Sequence, residues 1–93
     1  MRIPRKLKIG GHTYKINVEK PGEMGERNPC GLTNKIKGTI NINKSLMQSE
    51  QESTLIHEIF HAINNELNES VIESLSQQLY QVLRDNRLRF DGK

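Results

Sequence analysis

Residues 49–66 read Ser-Glu-Gln-Glu-Ser-Thr-Leu-Ile-His-Glu-Ile-Phe-His-Ala-Ile-Asn-Asn-Glu, and the spacing of their apolar residues decides the fold. Leu55, Ile56, Ile59, Phe60 and Ile63 form the stripe of an amphipathic helix expected over about 49–66. Ser49 with Glu52 makes a capping-box pattern at its start, and Asn64, Asn65 and Asn68 signal its end. Inside this helix lies His57-Glu58-x-x-His61. At about 100° per residue, His61 sits about 40° from His57, whereas the apolar stripe centres near about 220°. Both imidazoles therefore project from one side, roughly opposite the face that packs into the core. Two neutral imidazole nitrogens at this spacing suit Zn²⁺. Glu58 is turned by about 100° from His57. It need not ligate, and can act as general base on a zinc-activated water, then pass the proton to a leaving amine.

Helical periodicity continues beyond this segment. Ser70 with Glu73 is a second capping-box pattern, opening a helix with the stripe Ile72, Leu75, Leu79, Val82 and Leu83, expected to fade near Asn86. Before residue 45 the period is two. Leu7-Lys8-Ile9 runs into Gly10-Gly11, and Tyr14, Ile16 and Val18 then alternate with Lys15 and Asn17, a hairpin signature. Pro21-Gly22, Gly25 and Asn28-Pro29 mark a loop. A second pair spans Leu32 to Ile36, a turn near Lys37-Gly38, and Ile40 and Ile42 in alternation with Thr39, Asn41 and Asn43. The pattern predicts an α+β fold in one domain, residues 1–93. Residues 1–44 supply a small antiparallel sheet of three to four strands, and residues 49–90 a helical, metal-binding part.

Composition narrows the function classes. The chain has 93 residues, 33% of them hydrophobic and 27% charged, with no Trp and a mean hydropathy of −0.71. So thin a core benefits from a bound metal or a partner. No apolar run is long enough to span a membrane, and the basic start MRIPRKLKIGG lacks the apolar core of a signal peptide. A single cysteine, Cys30, forms no internal disulfide, so a reducing, cytoplasmic setting is expected. The net charge of +3 conceals a split. Residues 1–44 carry ten Lys and Arg against three Glu, whereas residues 45–83 carry six Glu and no Lys or Arg. A wholly acidic segment around two histidines points to a positive centre.

The stretch TLIHEIFHAIN resembles the active-site helix of zincin metallopeptidases, and the run from Ser49 through ESLSQQLYQVLRDN is similar to small phage and prophage metallopeptidase-like proteins of the ImmA/IrrE-type and minimal gluzincin families. The resemblance implies a zinc metallopeptidase that hydrolyses peptide bonds in a peptide or protein substrate. No histidine follows His61, so the metzincin pattern is absent. In a gluzincin-like site a Glu from the next helix is the third ligand. Glu73 is the expected one, with Glu69 and Glu66 as alternatives. Glu73 also has a plainer reading, as the cap residue of Ser70-x-x-Glu73. The resemblance further implies that an edge strand pairs with the substrate; Gly31–Lys35 and Thr39–Asn43 both qualify.

Other residues carry a functional and a plainer reading side by side. Tyr80 and Arg84 could stabilise an oxyanion, but suit a core residue and a helix-end charge better. Cys30 could block the metal as a thiolate, although a small residue opening a strand explains it adequately. His12 reads as a solvated loop residue. Arg2, Arg5, Lys6, Lys8, Lys15 and Lys20 form solvated strand faces or a phosphate-contacting patch, with only Tyr14 as an aromatic among them. A non-catalytic alternative follows: a metal-binding interaction protein of phage or prophage type, whose basic half binds nucleic acid or an acidic partner.

Overall fold

The computed structural model describes residues 3–20 and 30–88. The loop signals at 21–29, Arg2 and the last five residues lie outside the described residues. Alternating apolar residues produce four strands, β1 (Lys6–Ile9), β2 (His12–Glu19), β3 (Gly31–Asn34) and β4 (Thr39–Asn43). Two helices follow, α1 (Gln48–Ile63) and α2 (Glu69–Asp85). No helix among the described residues is long and apolar enough to cross a membrane.

Both expected hairpins form. Gly10 and Gly11 join β1 to β2 with φ of 59° and 84°, a left-handed backbone open to glycine at little cost. The sheet is mixed rather than wholly antiparallel, which corrects the sequence expectation. Its order is β1-β2-β4-β3, and β2 pairs parallel to β4. The chain reverses from β2 to β3 and again from β3 to β4, so β4 returns in the direction of β2 and slots between the two. Side-chain alternation reports which face of a strand is buried, not which strand lies beside it. Consequently β4 is interior and β3 forms an edge, its inner side paired with β4.

Tyr14, Ile16, Ile40 and Ile42 project from one sheet face and meet Leu55 and Ala62 of α1 in a buried core, with Ile3, Leu7, Ile9 and Ile59 packed around it. Lys6 and Lys15 are cross-strand partners and both exposed, so this basic pair stands on the solvated face.

The two helices dock antiparallel: Glu52, near the start of α1, meets Tyr80, near the end of α2. Neither expected capping box forms. Met47 caps α1 with no side-chain hydrogen bond, and Glu52 is buried instead, accepting from the Tyr80 hydroxyl at 2.6 Å and the Gln48 amide at 2.9 Å. At α2 the cap is Asn68, whose Oδ1 accepts from the Ser70 backbone N–H at 2.8 Å, leaving Glu73 for another task. The stripe of α2 is also rotated from its expected position. Ile72 is fully buried as expected, but Ser76 and Tyr80 complete the inward face, while Leu75 and Leu79 are 47% and 40% exposed. Polar contacts across the helix pair set this rotation.

The Tyr80–Glu52 bond is therefore central to helix docking. Tyr80→Phe is expected to lower unfolding stability by about 1.5 kcal/mol, because a buried carboxylate loses a strong donor. Urea unfolding at neutral pH, followed by helical circular dichroism, measures it.

Candidate metal centre

Three elements converge on one face of α1. His57 and His61 are four residues apart and bring their Nε2 atoms to 3.2 Å, with ring centroids 5.0 Å apart. A five-residue reversal, 64–68, then returns the chain. Asn64 Oδ1 accepts from the Glu66 backbone N–H at 2.9 Å, and the Asn68 cap fixes where α2 begins. Glu69 is the first residue of α2, where a carboxylate complements the positive helix end. Its Oε1 lies 2.6 Å from His57 Nε2, and its Oε2 lies 2.9 Å from His61 Nε2.

Glu73 goes elsewhere. Its carboxylate lies 3.0 Å from Nδ1 of His57, the nitrogen facing away from the shared Nε2 side. Because the helices run antiparallel, one further turn along α2 carries Glu73 past His57 toward the start of α1. Accordingly, among the described residues, the group whose ligand atoms all lie within 4.8 Å of one another is His57, His61 and Glu69. Of the carboxylates expected as third ligand, Glu69 stands against both Nε2 atoms and Glu73 against Nδ1 of His57. Glu73 stands where a carboxylate orients a ligating imidazole through its other nitrogen.

The donor set is compatible with a metal ion. Ligands at about 2.0–2.1 Å around a tetrahedral ion are separated from one another by roughly 3.3 Å. The two Nε2 atoms, 3.2 Å apart, match that edge length, and the Glu69 carboxylate stands against both of them, one oxygen to each. Two imidazoles and a carboxylate are also the donor types of catalytic zinc sites that keep a fourth position open.

Glu58 lies beside this group, 6% exposed, between α1 and β3. The Thr33 hydroxyl reaches its Oε1 at 2.7 Å and its main-chain oxygen at 3.1 Å. Burial pushes the Glu58 carboxyl above its usual value, while the Thr33 hydrogen bond and the two histidines oppose the rise. Two hollows of about 210 and 200 Å³ flank Glu58 and Glu69. Cys30, Gly31 and Ser53 line one; Leu32, Thr33 and Asn65 line the other.

The remaining candidates fall outside the metal-facing group. Tyr80 commits its hydroxyl to Glu52, and the Arg84 guanidinium lies 5.2 Å over the Tyr80 ring while pairing with Asp85 at 2.9 Å. Cys30 is exposed on the rim, and burial together with Glu50, Glu73 and Glu58 pushes its thiol up. His12 opens β2 rather than sitting in a loop, and is exposed. Glu66, the other alternative ligand, is exposed in the reversal. Thr33 and Gly31 carry no motif; their proximity to Glu58, more than twenty residues away in sequence, arises only from packing.

A carboxyl raised by burial binds its proton more tightly in the folded than in the unfolded chain. Its contribution to stability is complete below the ordinary carboxylate range and is lost as pH rises through the folded value. In metal-free protein Glu58→Gln is therefore expected to raise the unfolding midpoint at pH 7, with the gain shrinking below about pH 4. Thermal unfolding of both proteins across pH, in chelator, checks this.

Among known proteins, the sequence matches the peptidase M78 family, described as the IrrE N-terminal-like domain, over residues 8–90. No curated protein and no solved structure gives a significant match. The match spans both the sheet and the helix pair that carries the metal-facing group, and the chain belongs to the peptidase M78, IrrE N-terminal-like family.

Proposed function

We propose that this chain is a zinc-dependent metallopeptidase that hydrolyses peptide bonds, with His57, His61 and Glu69 holding the ion and Glu58 serving as general base. The observation that carries the reading is the placement of Glu69, with one carboxylate oxygen at Nε2 of each histidine, next to a buried Glu58. A zinc ion supplies Lewis acidity, lowering the pKa of water toward neutrality and polarising a carbonyl. The protein's own residues do the rest. Glu58 takes the proton of the attacking water and delivers it to the leaving amine. Glu73 holds the His57 ring through Nδ1, fixing the tautomer that leaves Nε2 as the donor atom.

Substrate binding falls to β3. Of the two candidate strands, Thr39–Asn43 is enclosed between β2 and β3, which leaves Gly31–Lys35 as the segment containing the edge. The Cys30 and Asn34 carbonyls accept from Asn43 and Gly38 on the β4 side. By antiparallel alternation, the main-chain groups of Gly31 and Thr33 face outward. An extended peptide pairing there lies along the groove that contains both hollows. The single Cys30 suits a reducing, cytoplasmic setting.

Metal analysis and a set of substitutions test the assignment. Purified protein is expected to bind one zinc ion. Glu69→Ala should weaken zinc binding by more than about 100-fold, and Glu73→Ala by about 10–100-fold. Glu58→Gln should abolish cleavage of an unstructured peptide while zinc stays bound. If zinc binds and Glu58→Gln changes nothing, the non-catalytic reading stands instead: a metal-binding phage or prophage protein whose basic half engages nucleic acid or an acidic partner.

A further inference from the structure

Gly31 and Thr33 are two residues apart on β3, so their side-chain positions share one face of the strand. That face meets α1. A Cβ added at Gly31 would lie 2.7 Å from Thr54 Cγ2, 3.2 Å from Glu58 Cγ and 3.2 Å from the Asn41 carbonyl oxygen. The absence of a side chain at Gly31 lets the strand approach α1 this closely, most tightly at Thr54 and next at Glu58. Two residues on, the Thr33 hydroxyl donates to Glu58 Oε1 at 2.7 Å.

We propose that Thr33 is the positioning residue for Glu58, holding the carboxylate through Oε1 so that Oε2 takes the proton, and that β3 thereby joins substrate pairing to base placement. This inference rests on the peptidase reading. A buried carboxylate on a long side chain has three rotatable bonds, and a hydroxyl donor on a strand removes that freedom. The same two residues act at right angles: their main-chain groups face away from β4, while their side-chain positions face Glu58. A peptide seated on β3 therefore shares with the base a scaffold two residues long, which aligns the scissile bond without any dedicated loop.

Four variants test the inference. Thr33→Val keeps shape and strand preference but removes the hydroxyl; Thr33→Ser keeps it; Thr33→Ala repeats the deletion should Val disturb the edge. Glu58→Met removes the acceptor. In the zinc-loaded protein acting on an unstructured peptide, Thr33→Val is expected to lower kcat by about 10–100-fold with KM and zinc affinity within about 3-fold, and Thr33→Ser to restore kcat to within about 3-fold. In the metal-free protein, Thr33→Val should lower the unfolding midpoint more in the wild-type background than beside Glu58→Met, where only the hydroxyl's contact with the main-chain oxygen of residue 58 remains to be lost. An unchanged kcat in Thr33→Val and Thr33→Ala, or unfolding shifts that simply add, overturns the inference. The peptidase reading fails separately, if Glu58→Gln cleaves as fast as wild type. In that case the unfolding cycle still decides whether Thr33 holds Glu58.

Discussion

Three carboxylates, those of Glu58, Glu69 and Glu73, are brought to two histidines in a segment without a single Lys or Arg, and much of the helical half follows from that constraint. Carboxylates gathered this closely repel one another unless a cation stands among them or protons do. The helix pair is arranged to make the gathering feasible. At one end Tyr80 donates to the buried Glu52, and at the other Glu69 meets both histidines while Glu73 meets His57 at its other nitrogen. This polar seam turns α2 until Ile72, Ser76 and Tyr80 face inward and Leu75 and Leu79 face water. A helix pair governed by apolar burial alone would have inserted the leucines. Under the proposed function, a bound ion would add the stabilisation that the exposed leucines do not.

Local features are the ones legible in the sequence. Helix and strand positions follow from periods of 3.6 and two, and the His57–His61 pairing follows from one helical turn. Caps are less legible, since Ser49, Glu52, Ser70 and Glu73 match the capping-box pattern but tertiary contacts claim both glutamates. Strand order is not legible, because β4's place between β2 and β3 is a choice among neighbours on which alternation is silent. The third carboxylate shows the same limit in miniature. Glu69 and Glu73 are one turn apart on the same helix, and only the length of the 64–68 reversal decides which of them reaches both Nε2 atoms. Thr33 leaves no sequence signal at all, its link to Glu58 being wholly long-range.

Under the proposed function, the interior position of β4 separates the core from the pairing edge. Were β4 the edge, its outward-facing main chain would sit beside Ile40 and Ile42, both fully buried in the core, and any movement on substrate pairing would disturb that core. With β3 at the edge, the strand packed against α1 at Gly31 is also the one with no second strand partner among the described residues. The core and the groove are then carried by different strands.

Under the proposed function, this division also bears on specificity. Two shallow hollows flank the catalytic group, lined largely by small or polar residues such as Gly31, Ser53, Thr33 and Asn65. Neither offers the deep apolar enclosure from which side-chain discrimination usually comes. Recognition would rest on main-chain pairing along β3, which any extended peptide satisfies. Selection among substrates is then a matter of which segments are extended and accessible, so that the conformation of the target, more than the identity of its residues, decides what this small domain cuts.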